Sequence, residues 1–157
     1  MLEARLRERI HDDFALPILT AALDRAEATD PERELEEIVL ELWAATARTR
    51  GPATALEKSA IDRPDLFGHF LEFRRELFGR YERYLASRDQ SGQLTPLHSH
   101  RVAARFLVET VTFFARHRYL DPDQGLLPDN ETVESAAVDL VLHGLIGPGH
   151  RRQGGTP

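Results

Sequence analysis

At 157 residues, with 41% hydrophobic and 29% charged residues, the chain has the size and composition of one soluble globular domain. Its net charge of −6 argues against an unaided grip on nucleic-acid phosphates, which needs a basic face. The absence of cysteine excludes disulfides, thiolate chemistry and Cys-ligated metal, and no apolar run approaches the ~20 residues of a membrane helix.

The pattern is helical throughout, with no alternating strand periodicity and no hairpin turn signal. The first helix carries Leu2, Leu6, Ile10, Phe14 and Ile18 at fourfold spacing, with Leu16, Leu19 and Leu23 on an adjoining seam. Pro17 falls inside it and removes a backbone hydrogen bond, which predicts a kink between Asp13 and Pro17 and makes Pro17 a candidate pivot. Asp30-Pro31 opens a second helix by the cap-then-proline rule, with Leu35, Ile38, Val39, Leu42 and Trp43 as its apolar face. Arg50-Gly51-Pro52 is expected to break the chain before a short helix from Ala53 to Ala60.

Pro64 starts a long helix that runs to Ser91-Gly92. Its apolar residues, among them Leu66, Phe67, Phe70, Phe73, Leu77, Tyr81 and Tyr84, cover well over half the circumference and predict a central position. Thr95-Pro96 is expected to begin the penultimate helix, and Asp129 or Asn130 to cap the last. The tail from Pro148 has no apolar anchor and is expected to be disordered, leaving one domain over 1–147 and a tail over 148–157.

The segment from Arg101 to Gly147 is too apolar to bury one face alone. On the penultimate helix Val102, Phe106 and Phe113 form one seam, and Ala103, Leu107, Thr110 and Phe114 a second. Val108 and Val111 widen the arc beyond the ~100° stripe of an ordinary surface helix. A wider arc predicts a second packing partner, most simply another copy of the chain. With one arc given to the core, Val108, Val111 and Ala115 are left for the partner, joined by Val138, Val141, Leu142 and Leu145 of the last helix.

The succession DPERELEEIV, PDLFGHFLEFRRELFGRYERYL, RVAARFLVETVTFFARHR and an acidic-capped VDLVLHGLIG resembles the C-terminal regulatory domain of TetR-family transcriptional regulators, over Leu2 to Gly147. The resemblance implies an all-α bundle of about six helices. It further implies a cavity for a small, largely apolar effector, walled by the first, second, central and penultimate helices, and a homodimer formed as a four-helix bundle of the last two. Members of the family begin with a helix-turn-helix unit that has no counterpart here. A cytoplasmic sensor of this kind would act on DNA only through that missing N-terminal domain.

The candidate effector contacts are His11, Phe14, Trp43, Phe70, Arg74, Tyr81, Phe106 and Thr110. Small-molecule pockets are mostly apolar with a few polar groups, and these aromatic residues crowd the inward arcs while His11, Arg74 and Thr110 stand on or beside apolar faces. The aromatics fill a core equally well. The three polar residues read alternatively as a surface histidine, a solvated arginine and a threonine bonded to its own helix. His98-Ser99-His100 offers too few ligands for a structural zinc site. A nucleophile elbow, a phosphate loop and a paired-carboxylate arrangement are all missing, so no catalytic residue, metal or cofactor is assigned. The rival readings are a helical dimerisation module without a cavity, and a small helical enzyme using His11 or His117.

Overall fold

The computed structural model describes residues 8, 11–59, 64–120, 122, 123, 125 and 127–146. Leu2, Leu6 and Ile10 of the first seam, Ala60, Gly147 and the tail from Pro148 lie outside the described residues. Within them every regular element is helical: α1 (Pro17–Leu23), α2 (Pro31–Arg48), α3 (Arg50–Ser59), α4 (Pro64–Gln90), α5 (His100–Ala115), a 3-10 turn (His117–Leu120) and α6 (Asn130–Leu145). A further helical stretch ends at Asp13, ahead of α1. The all-α expectation is met.

The first helix breaks where a kink was expected. Residues 14–16 leave the helix, Leu16 adopts the left-handed conformation (φ 48°, ψ 65°), and Pro17 opens α1 as a separate element. Proline disfavours the right-handed helical region for the residue before it and needs no N–H partner at a helix start, so a break satisfies both demands better than a bend. A left-handed leucine costs about 1–2 kcal/mol, and burial of the Leu16 side chain returns about 1.5–3 kcal/mol. With no polar side chain at its own N-cap, α1 borrows one: Glu41 of α2 accepts the N–H groups of Ile18 (2.8 Å) and Leu19 (3.0 Å), and its charge suits the positive end of the helix. From the other side Arg80 of α4 donates to the carbonyls of Phe14, Ala15 and Leu16 and to the Thr20 hydroxyl.

Local cap signals elsewhere hold with two shifts of position. Asp30 caps α2 by accepting from Arg33 N, and Asp129 caps α6 by accepting from Thr132 N. The break after α2 falls at Thr49, so Arg50-Gly51-Pro52 forms the first turn of α3, where proline's missing N–H would have no intrahelical partner anyway. The penultimate helix starts at His100 with Ser99 as its N-cap, not at Thr95-Pro96. Residues 95–99 instead carry an extended approach, in which Thr95 N bonds the Leu145 carbonyl and ties α6 to the loop before α5.

The central position belongs to α5, not to the long α4. α5 packs against α2, α4, α6 and the 3-10 turn. The pairings Glu82–Arg101, Arg74–Glu109 and Arg105 over Phe78 make α4 and α5 antiparallel. α4 lies at the edge, burying Leu77, Tyr81, Tyr84, Leu85 and Arg88 while Phe70, Phe73 and Phe78 are half-buried.

Arg88 is the largest fully buried side chain, 0% exposed. Its Nε donates to Glu34 of α2 (2.7 Å), and its other nitrogens donate to the carbonyls of Ala22, Arg25 and Ala26 at the end of α1. Arg25 adds a second bond to Glu34 at 2.8 Å. Burial alone would raise the Glu34 carboxyl, but the hydrogen bonds from Arg88 and Arg25 outweigh it and hold the group below its ordinary value. One guanidinium thus locks three helices together.

Candidate functional site

The residues of α5 left for a partner by periodicity lie inward. Val108, Val111 and Ala115, expected to face a partner, are 3%, 0% and 0% exposed and lie in the core of the protomer. Phe106, expected on an inward arc, points outward at 62% exposed, with Val102 at 67% and Phe113 at 45% on the same seam. On α6 the same holds: Val138, Val141 and Leu145 are buried and Leu142 is half-buried, while Leu140 is exposed alongside Ala136 and Gly144. Period fixes how wide an apolar stripe is but not which edge of it meets the core.

A cavity of about 250 Å³ opens where the end of the first helical stretch meets α2, α4 and α5. Its α4 side is apolar, formed by Phe70, Phe73, Leu77 and Phe78, and Phe14 closes it from the N-terminal segment with an edge-on contact to Phe73 (5.0 Å between centroids). The opposite side, from α2 and α5, is mainly polar: Thr46, Glu109, Thr112 and Arg116 beside Val108, with His117 just beyond the helix. Arg74 crosses from α4 to pair with Glu109 at 2.5 Å, and its guanidinium lies over the rings of Phe70 and Phe78. Arg105 also approaches Glu109, at 3.5 Å.

Two details of the polar wall matter for chemistry. Arg116 Nη2 lies 2.8 Å from His117 Nε2. A guanidinium only donates, so Nε2 of the imidazole is the acceptor in this contact. Thr46 is 2% exposed and its Oγ1 has no hydrogen-bond partner among the described residues, although buried hydroxyls are nearly always satisfied.

Compared with known proteins, the chain matches no family model, no curated protein and no solved structure. The site therefore rests on its own geometry.

Of the eight residues singled out as effector contacts, Phe14, Phe70 and Arg74 line this cavity. His11 lies on a second, more open groove of about 430 Å³, bounded by Phe14, Phe73, Glu76, Arg80 and Arg83. Trp43 and Tyr81 are buried in the core away from both spaces, and burial pushes the Tyr81 phenol far above its ordinary range. Phe106 is on the outward seam, and Thr110 is half-buried but outside both linings. Sequence reasoning missed Thr46, Thr112 and Arg116, whose helical positions beside apolar residues were the available signal.

The histidine cluster also finds its place. Ser99 caps α5, His100 Nε2 sits 2.7 Å from Asp89 Oδ2 at the end of α4, and His98 is exposed. No group of three or more metal-ligating side chains occurs among the described residues, and no helix among them is long and apolar enough to cross a membrane.

Proposed function

We propose that this chain is an effector-sensing, self-associating domain of the TetR regulatory type, a cytoplasmic binding protein and not an enzyme. It takes a small, largely apolar molecule into the cavity between Phe14, α2, α4 and α5. The observation that carries this reading is the position of Phe14, which walls the cavity and directly follows the helical stretch ending at Asp13. An occupant that favours one placement of Phe14 therefore favours one placement of that stretch, and of any DNA-binding unit attached through it. A tenfold change in operator affinity requires about 1.4 kcal/mol of differential binding between the two placements. The break at residues 14–16 takes over the pivot role assigned to Pro17.

Self-association uses the outward faces of α5 and α6. Val102, Phe106 and Phe113 form one apolar stripe, and Ala136, Leu140 and Gly144 form a second of small residues around one leucine. Apolar groups at this density on two neighbouring helices suit a second copy of the same faces, the isologous arrangement of a two-fold dimer.

The test has two arms. Toluene should raise the melting temperature, and the rise should be lost in Phe73→Arg; no stabilisation by toluene or a panel of similar small aromatics would overturn the sensor reading. Sedimentation at micromolar concentration should give a dimer that Phe106→Arg converts to a folded monomer, and a monomeric wild type would remove the self-association claim.

A further inference from the structure

We infer that the effector is a small carboxylic acid, its apolar body against the α4 wall of the cavity and its carboxylate toward Thr46, Thr112 and Arg116. The inference rests on the cavity being the ligand site. It follows from the division of the cavity into two unlike sides. The α4 side presents Phe70, Phe73, Leu77 and Phe78, and its one polar group, Arg74, is turned onto Glu109. The facing side carries donors: the Thr46 hydroxyl, which has no acceptor among the described residues, the Thr112 hydroxyl and the buried Arg116 guanidinium, which already donates to His117 through Nη2. The one carboxylate of the lining, Glu109, is already engaged by Arg74.

A donor-rich wall selects an acceptor, and a guanidinium beside it selects a charged one. The obvious objection is that Thr46 and Arg116 stand at the C-terminal ends of α2 and α5, where the helix dipole repels anions. At α5 that end is neutralised. Arg50 donates to the Ala115 carbonyl through Nε (3.2 Å) and Nη2 (2.9 Å), and its guanidinium is held in place by stacking 3.5 Å above the Tyr119 ring. A second cation thus stands behind the wall that the carboxylate would meet. Size restricts the acid: about 250 Å³ is below the roughly 300–1,000 Å³ of pockets for drug-sized ligands, so one ring with a short chain fits and a long acyl chain does not.

The experiment compares three probes with one apolar body, titrated calorimetrically into the full chain: 4-phenylbutyrate, its neutral amide and 4-phenylbutylamine. The acid should bind at least tenfold more tightly than the amine, with the amide between them. Thr46→Val, which keeps the shape of the side chain and removes the hydroxyl, should weaken the acid about threefold to tenfold, one hydrogen bond's worth. It should leave the circular dichroism spectrum unchanged. Equal or tighter binding of the amine or the amide would overturn the acid preference, as would acid binding indifferent to Thr46→Val. Failure of all three probes while toluene still stabilises the protein would sink the acid and leave the sensor reading standing. Failure of toluene as well would sink both.

Discussion

Replacing Arg88 by methionine should cost more stability than any other single change on α4. The substitution keeps length and apolar bulk but withdraws the charge from a fully buried site. It leaves Glu34 buried with only the half-exposed Arg25 as partner, and strips donors from the carbonyls of Ala22, Arg25 and Ala26. Breaking one side of a buried ion pair costs about 3–5 kcal/mol, a large share of the ~5–15 kcal/mol that holds a domain folded. At about 2–4 °C per kcal/mol for a chain of this length, the melting temperature should fall by about 6–20 °C. Urea unfolding of Arg88→Met, Glu34→Met and the double variant gives the coupling directly. The double variant should be less damaged than the sum of the singles by about 2 kcal/mol or more, because it removes the stranded carboxylate. A loss below about 1 kcal/mol for Arg88→Met, or strict additivity in the cycle, would refute the assignment of Arg88 as the lock between α1, α2 and α4.

Three further outcomes follow from the same contacts. Because the folded Glu34 carboxyl is held below its ordinary value near 4.5, it contributes stability that is fully present above that value and is lost as pH falls through the folded one; urea midpoints should therefore hold from pH 7 to 5 and drop below, and Glu34→Gln, less stable at pH 7, should show a shallower drop. Leu16→Gly relieves about 1–2 kcal/mol of left-handed strain but forfeits a buried leucine worth about 2–5 kcal/mol, so it should destabilise by up to about 4 kcal/mol in urea, and a stabilised variant would show that the side chain contributes less than its burial implies. Arg80→Ala should speed amide hydrogen exchange at least tenfold at Ala15 and Thr20, whose N–H groups close the turn that Arg80 grips, while the amides of α5 keep their protection; uniform acceleration across the bundle would mean that the turn is not a separable unit.

What was legible in the sequence was what neighbouring residues decide. Asp30-Pro31 and Asp129 act within one turn of themselves, and each cap stands where the pattern put it. The break at Thr49 and the start at Ser99 moved by a few residues because proline is as comfortable inside a first helical turn as in a loop. The grips that position the site were not legible. Glu41 reaches amides 22 and 23 residues away, Arg88 reaches Glu34 across 54, and Arg80 reaches residues 14–16 across 64 to 66. Each reads as one more charge on a helix until the fold supplies its partner. The cavity residues split accordingly: Phe14, Phe70 and Arg74 were found by their place on apolar seams, whereas Thr46 sits among the alanines Ala44, Ala45 and Ala47 and gave little to distinguish it.

α5 has almost no idle surface. Ala104, Leu107 and Val111 are in the core, Glu109, Thr112 and Arg116 at its end line the cavity, and Val102, Phe106 and Phe113 look outward. A saturation scan of substitutions should register this as a helix that has lost its rhythm. α4, exposed along one side, should alternate between tolerant and intolerant positions with the usual period of 3.6, whereas α5 should be sensitive at nearly every position. On the proposed reading, the kind of damage would change around its circumference, from unfolding to altered ligand response to altered assembly. A chain free to drift elsewhere would have to change this helix last.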